Sequence, residues 1–367
     1  MKHSLLFLLL AVVIPCLADQ APPAADQPER IAGSGESTST GSTDPWTDGA
    51  FAWKSTGPCL DVGPGADADD PHIALKDPTV VFDKGQWHVL TTLRQKSGRV
   101  VMEQLSFADW NKAKEARRAT IDLHPAYHCA PQLFFFTPHQ KWYLIYQAGN
   151  FRCNKGLTPV FSTTGNLNDP SSWTKPEPLL ENAAPNPKGI DFWVICDEAS
   201  ARLFYTSDDG HFWRRDAKKA DFPHGWGPEV LVMQDAKDEL FEASHTYALK
   251  GRGKFLTILE AMAPGRRYYK AFLADRLDGP WQPLAATKEK PFAARENVSG
   301  DSAWCDSVSH GELIRCGIDE TLTVDPNNLR FLIQGVDAAG YRAGKYGGIP
   351  WKLGVLEQTP APEKRLP

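Results

Sequence analysis

Three acidic residues stand at matching places in three stretches of this chain: Asp77 in "LKDPTVVF", Asp191 in "GIDFWVIC" and Glu242 in "LFEASHTY". In each, a polar residue opens a short apolar run of the kind that forms a buried strand. Two further runs open the same way, with Gln132 in "CAPQLFFF" and His310 in "SVSHGELI". Carboxylates brought together in a cleft can divide acid and base work. One protonates a leaving oxygen, and the other activates water or attacks carbon. A third negative charge nearby, with burial, raises the pKa of the acid so that it keeps its proton near neutrality. That is the chemistry of glycoside hydrolysis. A lone Asp before Pro, such as Asp77 before Pro78, is just as well a turn residue, and single acids cap turns or pair with Lys and Arg. The recurrence in several units is what favours a site.

The elements that must position these residues repeat. An aromatic-rich strand recurs as "GQWHVLTT", "QKWYLIYQ", "ARLFYTS", "GKFLTILEA" and "LRFLIQGV", at intervals of roughly 50 to 75 residues. Each follows one of the five polar-opened runs. Gly, Pro, Asn and Asp clusters separate the runs, and few segments have a helical period, which predicts an all-β chain. Five such units predict a five-bladed β-propeller with a four-stranded sheet per blade around a channel. If each polar-opened run is a blade's innermost strand, all five openings converge at one end of the channel.

Composition narrows the partners. The net charge of −5 and the pI near 6.1 do not ask for nucleic acid, and no Lys/Arg run makes a basic stripe. Tryptophan is abundant, at 12 residues. Such a surplus either fills a β core or lines a sugar cleft, where flat rings stack on sugar faces. At the N-terminus, Lys2 and His3 precede the apolar run "LLFLLLAVVIP", which is too short to span a bilayer and reads as a secretory signal over 1–18. A lipid anchor through Cys16 is the alternative, with Pro15 a poor match for it. Residues 19–47 are rich in Pro, Gly, Ser and Thr and read as a flexible linker. A single propeller is then expected over 48–360, exported to the extracellular space and free of membrane once the signal is removed. Six cysteines follow the signal without any C-x-x-C spacing, so one to three disulfides are expected rather than a zinc cluster. Cys196, inside "FWVIC", reads as a buried thiol.

The blocks "LKDPTVVFDKGQWHV", "APQLFFFTPHQKWYLIYQ", "DFWVICDEASARLFYTSDDGHFWR", "LFEASHTYALKGRGKFLTILEA", "RRYYKAF", "SHGELIRCGIDETLTVDPNNLRFLIQG" and "GIPWKLGVLEQ" closely resemble the secreted α-L-arabinofuranosidases of glycoside hydrolase family 62. The resemblance covers about 51–358. It implies a five-bladed propeller and an inverting enzyme that removes L-arabinofuranosyl branches from arabinoxylan, with arabinan as a further substrate. It implies Asp77 as general base, Glu242 as general acid, and Asp191 as the residue that orients the acid and raises its pKa. It also implies a calcium ion in the channel with His310 as its protein ligand. Lys76 and Gln132 are expected to bind substrate, and Tyr346 to wall the pocket. A monomer acting on plant cell-wall polysaccharide is expected.

Two stretches depart from the family pattern. Tyr127-His128-Cys129 stands where Tyr-Arg is usual, and "AGNFRCNKGLTPVFSTT" follows "WYLIYQ" where Trp-Gly is usual. Phe151 is the candidate to replace that pocket Trp. Cys129 and Cys153 lie in these stretches and are expected to form a bridge. Two other readings stay open: a related five-bladed hydrolase such as a β-xylosidase or endo-arabinanase, and a non-catalytic carbohydrate-binding propeller. The released product separates all three.

Overall fold

The computed structural model describes residues 44–65, 67–152, 156–181, 189–343 and 345–360. The expected signal and most of the expected linker lie outside these residues, as does Cys153. The last linker residues are folded. Pro45–Asp48 forms a short helix whose N-cap, Asp44, accepts from Trp46 N–H, and Trp46 is buried.

Five sheets make five blades. Blade 1 runs His72–Asp83, Gln86–Gln95, Val100–Phe107 and Arg117–Ile121 from the channel outward. Blade 2 runs His128–Phe136, Lys141–Gly149, Leu157–Thr164 and Glu177–Pro178. Blade 3 runs Ile190–Cys196, Ser200–Thr206, His211–Lys218 and Val230–Gln234. Blade 4 runs Glu242–Leu249, Lys254–Ala263, Arg266–Ala274 and Gln282–Ala285, with Thr323–Val324 added in parallel inside the first. Blade 5 runs Ser307–Leu313, Arg330–Val336, Lys352–Thr359, then Ala52–Thr56 and Val298–Asp301. The five aromatic-rich repeats are the five second strands, as the repeat spacing predicts. The innermost strands are buried on both faces, so they read as nearly unbroken apolar runs. Between the first two strands of blade 1 the loop is only Lys84–Gly85. Both residues have positive φ (47° and 82°), the geometry of a tight hairpin turn that matches strand twist.

Blade 5 closes the ring by pairing Ala52–Thr56, early in the chain, antiparallel to Lys352–Thr359. Trp53 seals this joint. It is fully buried, its indole N–H donates to Phe292 O at 2.6 Å, and its ring meets Phe51, Phe292 and Phe331.

The register of the innermost strands corrects one expectation. Asp77 does not open its strand. It lies inside the strand His72–Asp83, at a bulge between Lys76 and Thr79. Equivalent slips occur between Cys129 and Gln132, Ile190 and Trp193, Glu242 and His245, and Ser309 and Gly311. Aligned on these bulges, the five polar residues are not equivalent. Asp77 and Asp191 share the bulge position, and His310 is the extra residue of blade 5. Glu242 stands one residue earlier, level with Lys76, and Gln132 stands two residues later, level with Thr79. A bulge inserts residues on one strand only, so a pattern read from one strand cannot register it.

The tryptophan surplus fills the core. Seven of the 12 are buried, the other five are partly buried, and none is exposed. The five described cysteines, Cys59, Cys129, Cys196, Cys305 and Cys316, are free thiols, so the expected disulfides are absent among the described residues.

Replacing Trp53 with Ala should open a cavity at the ring closure and lower stability by about 3–5 kcal/mol, seen as a lower urea midpoint with an unchanged slope. A midpoint within error of the parent would show that closure does not depend on this ring.

Candidate active site

At Asp77 the backbone is left-handed, with φ 49°. This turns the side chain out of the sheet plane, and Asp is among the few non-glycine residues that tolerate it. The bulge also removes the Asp77 N–H from the ladder, and Gln334 Oε1 accepts it at 2.8 Å. The Asp77 carboxylate lies 3.6 Å from Lys76 Nζ and 3.3 Å from His310 Nδ1. Burial works against its charge, but Lys76, His310 and the Thr92 hydroxyl outweigh burial and hold its carboxyl below the usual range. Asp77 is therefore a buried but ionised carboxylate, the state a general base requires.

Asp191 occupies the same bulge position in blade 3, with φ 55°. Its N–H donates to Gln147 Oε1 at 2.9 Å, and its Oδ2 accepts from Ala243 N–H at 2.9 Å. Ala243 follows Glu242, so Asp191 fixes the bulge that aims Glu242. Burial first, then the charges of Glu242 and Asp77, push the Asp191 carboxyl well above the ordinary range. Glu242 faces Glu260 across the blade 4 ladder. Between them lies Arg267, whose Nη1 pairs with Glu242 Oε1 and, at 2.6 Å, with Glu260 Oε1. Burial raises the Glu260 carboxyl, with Arg267 opposing it and Glu242 reinforcing it. Glu242 and Glu260 share one guanidinium, and burial with neighbouring negative charge raises the carboxyls of Asp191 and Glu260, so these two favour keeping a proton near neutrality. An ionised carboxylate at Asp77 and raised carboxyls at Asp191 and Glu260, beside Glu242, are two contrasting environments at one channel mouth.

Tyr346 stands beside Lys76 at the channel mouth. Half exposed, it lies on the short turn Tyr346–Gly348, its hydroxyl is 3.1 Å from Lys76 Nζ, and its ring faces both Lys76 and Arg267. Lys76 is buried, and although burial opposes its charge, Asp77, Tyr346 and Tyr127 hold its ammonium firmly protonated. Two expectations fail. Gln132 does not face substrate: it is buried, and its amide brackets blade 3, donating to Val194 O at 2.7 Å and accepting from Val194 N–H at 2.8 Å. Phe151 does not replace a pocket Trp. It is buried in an apolar cluster with Leu133, Tyr146 and Ala148 and packs on His124. The exposed aromatic beside Lys76 on that side is Tyr127.

Arg267, Glu260, Gln147, Gln334 and Tyr127 were not singled out from the sequence. For three of them a signal exists. Gln147, Glu260 and Gln334 each end the apolar run of a second strand, in "WYLIYQ", "FLTILE" and "FLIQ". No comparable signal marks Arg267 in "RRYYKAF".

For a hard cation, the protein side chains here supply little. His310 is buried with Nδ1 directed at the Asp77 and Asp191 carboxylates, at 3.3 and 3.8 Å. The neighbouring His245 is kept neutral by burial and by His310, and its Nδ1–H donates to Gly311 O at 2.7 Å. No three His, Cys, Asp or Glu side chains converge as a metal cage among the described residues. Calcium prefers six to eight oxygen ligands, so the protein alone does not fit it, and a cation here depends on water.

The family profile described as glycosyl hydrolase family 62 matches residues 53–357. The chain belongs to glycosyl hydrolase family 62. It is similar to alpha-L-arabinofuranosidase C of Cellvibrio japonicus, with 37% identity over 311 residues, covering 83% of this chain and 46% of that protein. The chain thus spans under half the length of that relative. Among solved structures, it is similar to the catalytic domain of the Coprinopsis cinerea family 62 alpha-L-arabinofuranosidase, with TM-score 0.77, 37% identity, and coverage of 84% of this chain and 98% of that one. A family 62 hydrolase in complex with xylotriose is similarly close, with TM-score 0.75, 36% identity, and coverage of 84% and 97%.

Replacing Arg267 with Met should leave Glu242 and Glu260 unpaired and cost about 3–5 kcal/mol in denaturant titration. The double variant Arg267→Met/Glu260→Gln, which keeps an acceptor for His310 N–H, should recover part of that loss. A double variant less stable than the single one would contradict the shared-guanidinium arrangement.

Proposed function

We propose that this chain is an inverting α-L-arabinofuranosidase that removes single L-arabinofuranosyl branches from arabinoxylan, with arabinan as a further substrate. The observation that carries the reading is the separation of carboxyl states at the channel mouth. Asp77 is held ionised by Lys76 and His310, while burial and neighbouring charge raise the carboxyls of Asp191 and Glu260 around Glu242. In the proposed reaction Asp77 takes a proton from a water, whose oxygen bonds to the anomeric carbon. The bond from that carbon to the polymer oxygen breaks, and Glu242 gives the leaving oxygen its proton. Attack from the opposite face inverts the anomer. Asp191 aims Glu242 through Ala243 N–H. Lys76 and Tyr346 are placed to meet sugar hydroxyls. The similarity to alpha-L-arabinofuranosidases over most of the chain supports the sugar, and the xylotriose complex of a relative supports a xylan main chain. A poised acid–base pair argues against a purely carbohydrate-binding propeller, which has no use for one. Export through residues 1–18 and action as a monomer belong to the same reading.

The test is incubation with wheat arabinoxylan, linear arabinan and linear xylan. The parent should release arabinose alone, first as the β anomer by NMR. Asp77→Asn and Glu242→Gln should each lower the rate about 10²–10⁴-fold while leaving the melting curve intact. Xylose or oligosaccharide products, or a folded Asp77→Asn at full rate, would overturn the assignment.

A calcium ion at His310 is also proposed, keeping water in most of its shell. When bound it would add positive charge to the channel floor. Chelation should then lower the melting temperature. An unchanged melt, together with no metal by elemental analysis, would remove calcium from the reading.

A further inference from the structure

Every blade of this propeller carries a bulge on its innermost strand, and each bulge leaves a backbone N–H that the ladder does not use. A buried N–H without an acceptor is costly, about 1–3 kcal/mol. In all five blades the acceptor is a side chain of the preceding blade. Thr92 Oγ1 of blade 1 accepts from Ala130 N–H of blade 2 at 2.9 Å. Gln147 Oε1 of blade 2 accepts from Asp191 N–H of blade 3 at 2.9 Å. Asp191 Oδ2 of blade 3 accepts from Ala243 N–H of blade 4 at 2.9 Å. Glu260 Oε2 of blade 4 accepts from His310 N–H of blade 5 at 2.8 Å. Gln334 Oε1 of blade 5 accepts from Asp77 N–H of blade 1 at 2.8 Å. The five bonds form a closed ring around the channel mouth.

Four of the acceptors come from one repeated position. Thr92, Gln147, Glu260 and Gln334 each sit on the second strand opposite the residue just before the bulge. In blade 3 that position is Thr206, opposite Ile190, and its buried hydroxyl has no protein partner. Asp191 has taken over its task.

We propose that Gln334 and Gln147 are positioning residues for the acid–base pair, acting through the ring rather than on substrate. This rests on the proposed roles of Asp77, Asp191 and Glu242. The direction of the Asp77 carboxylate depends on a left-handed backbone that is strained for a non-glycine residue. Gln334 is the acceptor that holds its amide. Its Nε2 donates to Ser309 Oγ at 2.9 Å, and Ser309 in turn donates to Glu260 at 3.1 Å, so the bracket itself is fixed. Gln147 does the same for Asp191, and through Asp191 it sets Ala243 and the aim of Glu242. Its Nε2 is anchored on Cys129 Sγ at 3.2 Å. Neither glutamine is the proton donor or acceptor of the reaction, so losing one should slow the chemical step while leaving substrate affinity largely in place.

An internal control separates positioning from simple destabilisation. Tyr247, deeper in the channel, makes an inter-blade latch of the same kind, with its hydroxyl accepting from Leu313 N–H at 3.0 Å. Gln334→Met, Gln147→Met and Tyr247→Phe should lower the melting temperature by similar amounts. The two glutamine variants should also lower kcat on arabinoxylan about 10- to 100-fold with KM within about threefold of the parent. Tyr247→Phe should keep kcat. Asp77→Asn is assayed alongside. Glutamine variants that lose no more kcat than Tyr247→Phe, next to an inactive Asp77→Asn, would overturn the positioning role alone. A parent that releases no arabinose, or an Asp77→Asn at full rate, would overturn the acid–base reading and the positioning role with it.

Discussion

Five backbone N–H groups that leave their ladders at the channel mouth, and five side chains that reach across from the preceding blade to accept them, are the constraint on which this site depends. A propeller blade satisfies most of its backbone within its own sheet, and neighbouring blades meet through close packing and a few cross-blade bonds, such as those of Gln132 with Val194. The bulges add a ring of bonds to these. Each creates one buried donor that only a neighbour can satisfy. The same bulge turns one side chain out of the sheet plane toward the axis. Satisfying the donor and aiming the side chain are therefore one structural event. The strain of the left-handed backbone at Asp77, Ala130, Asp191 and Ala243 persists because the blade behind holds it.

The electrostatics follow from where the bulges place charge. Lys76 and Glu242 occupy the same position in blades 1 and 4, one residue before the bulge. In blade 1 that position carries a cation and the bulge carries the acid, so Lys76 sits beside Asp77 and keeps it ionised. In blade 4 the position carries the acid and the bulge carries Ala243, so no cation is adjacent in sequence. The cation comes instead from the third strand, as Arg267, and is shared with Glu260. One guanidinium divided between two carboxylates, with Asp191 close behind, cannot neutralise them all. Asp77 and Asp191, at the same bulge position in two blades, thus shift in opposite directions through the count of nearby cations and their burial.

Much of this architecture was legible in the sequence. The five second strands announce themselves by aromatic content and spacing, because each must be buried on both faces. Asp77, Asp191, Glu242 and His310 do gather at one end of the channel. Their exact register was not legible, since a bulge changes which residues face each other without changing the run of apolar residues. That is why Gln132, which opens its run much as Asp77 does, proves to be a bracket on Val194 instead of a substrate ligand. Phe151 was misread for a related reason. A Phe in an unusual loop looks like pocket lining until its neighbours, Leu133, Tyr146 and His124, are known to lie around it. The tryptophans mislead in the same direction, because abundance does not distinguish a cleft from a core.

The stretches of blade 2 that set this chain apart in its sequence carry none of the clustered carboxyls, and the ring shows what blade 2 supplies instead. In blade 2 the position equivalent to Lys76 and Glu242 is Cys129, and the bulge residue is Ala130. Neither carries charge: burial pushes the Cys129 thiol up to about 12, so it stays protonated and serves as a weak partner for Gln147. Blade 2 contributes no acid, base or cation to the acid–base set. What it must supply is mechanical, namely an amide at Ala130 for Thr92 to hold and an acceptor at Gln147 for Asp191. His128 is turned away from the mouth, bonded to the carbonyls of Ala126 and Ile121. The stretch around residues 127–129 can therefore change what the exposed Tyr127 presents at the rim without touching the carboxyl cluster, whose members all come from blades 1, 3 and 4.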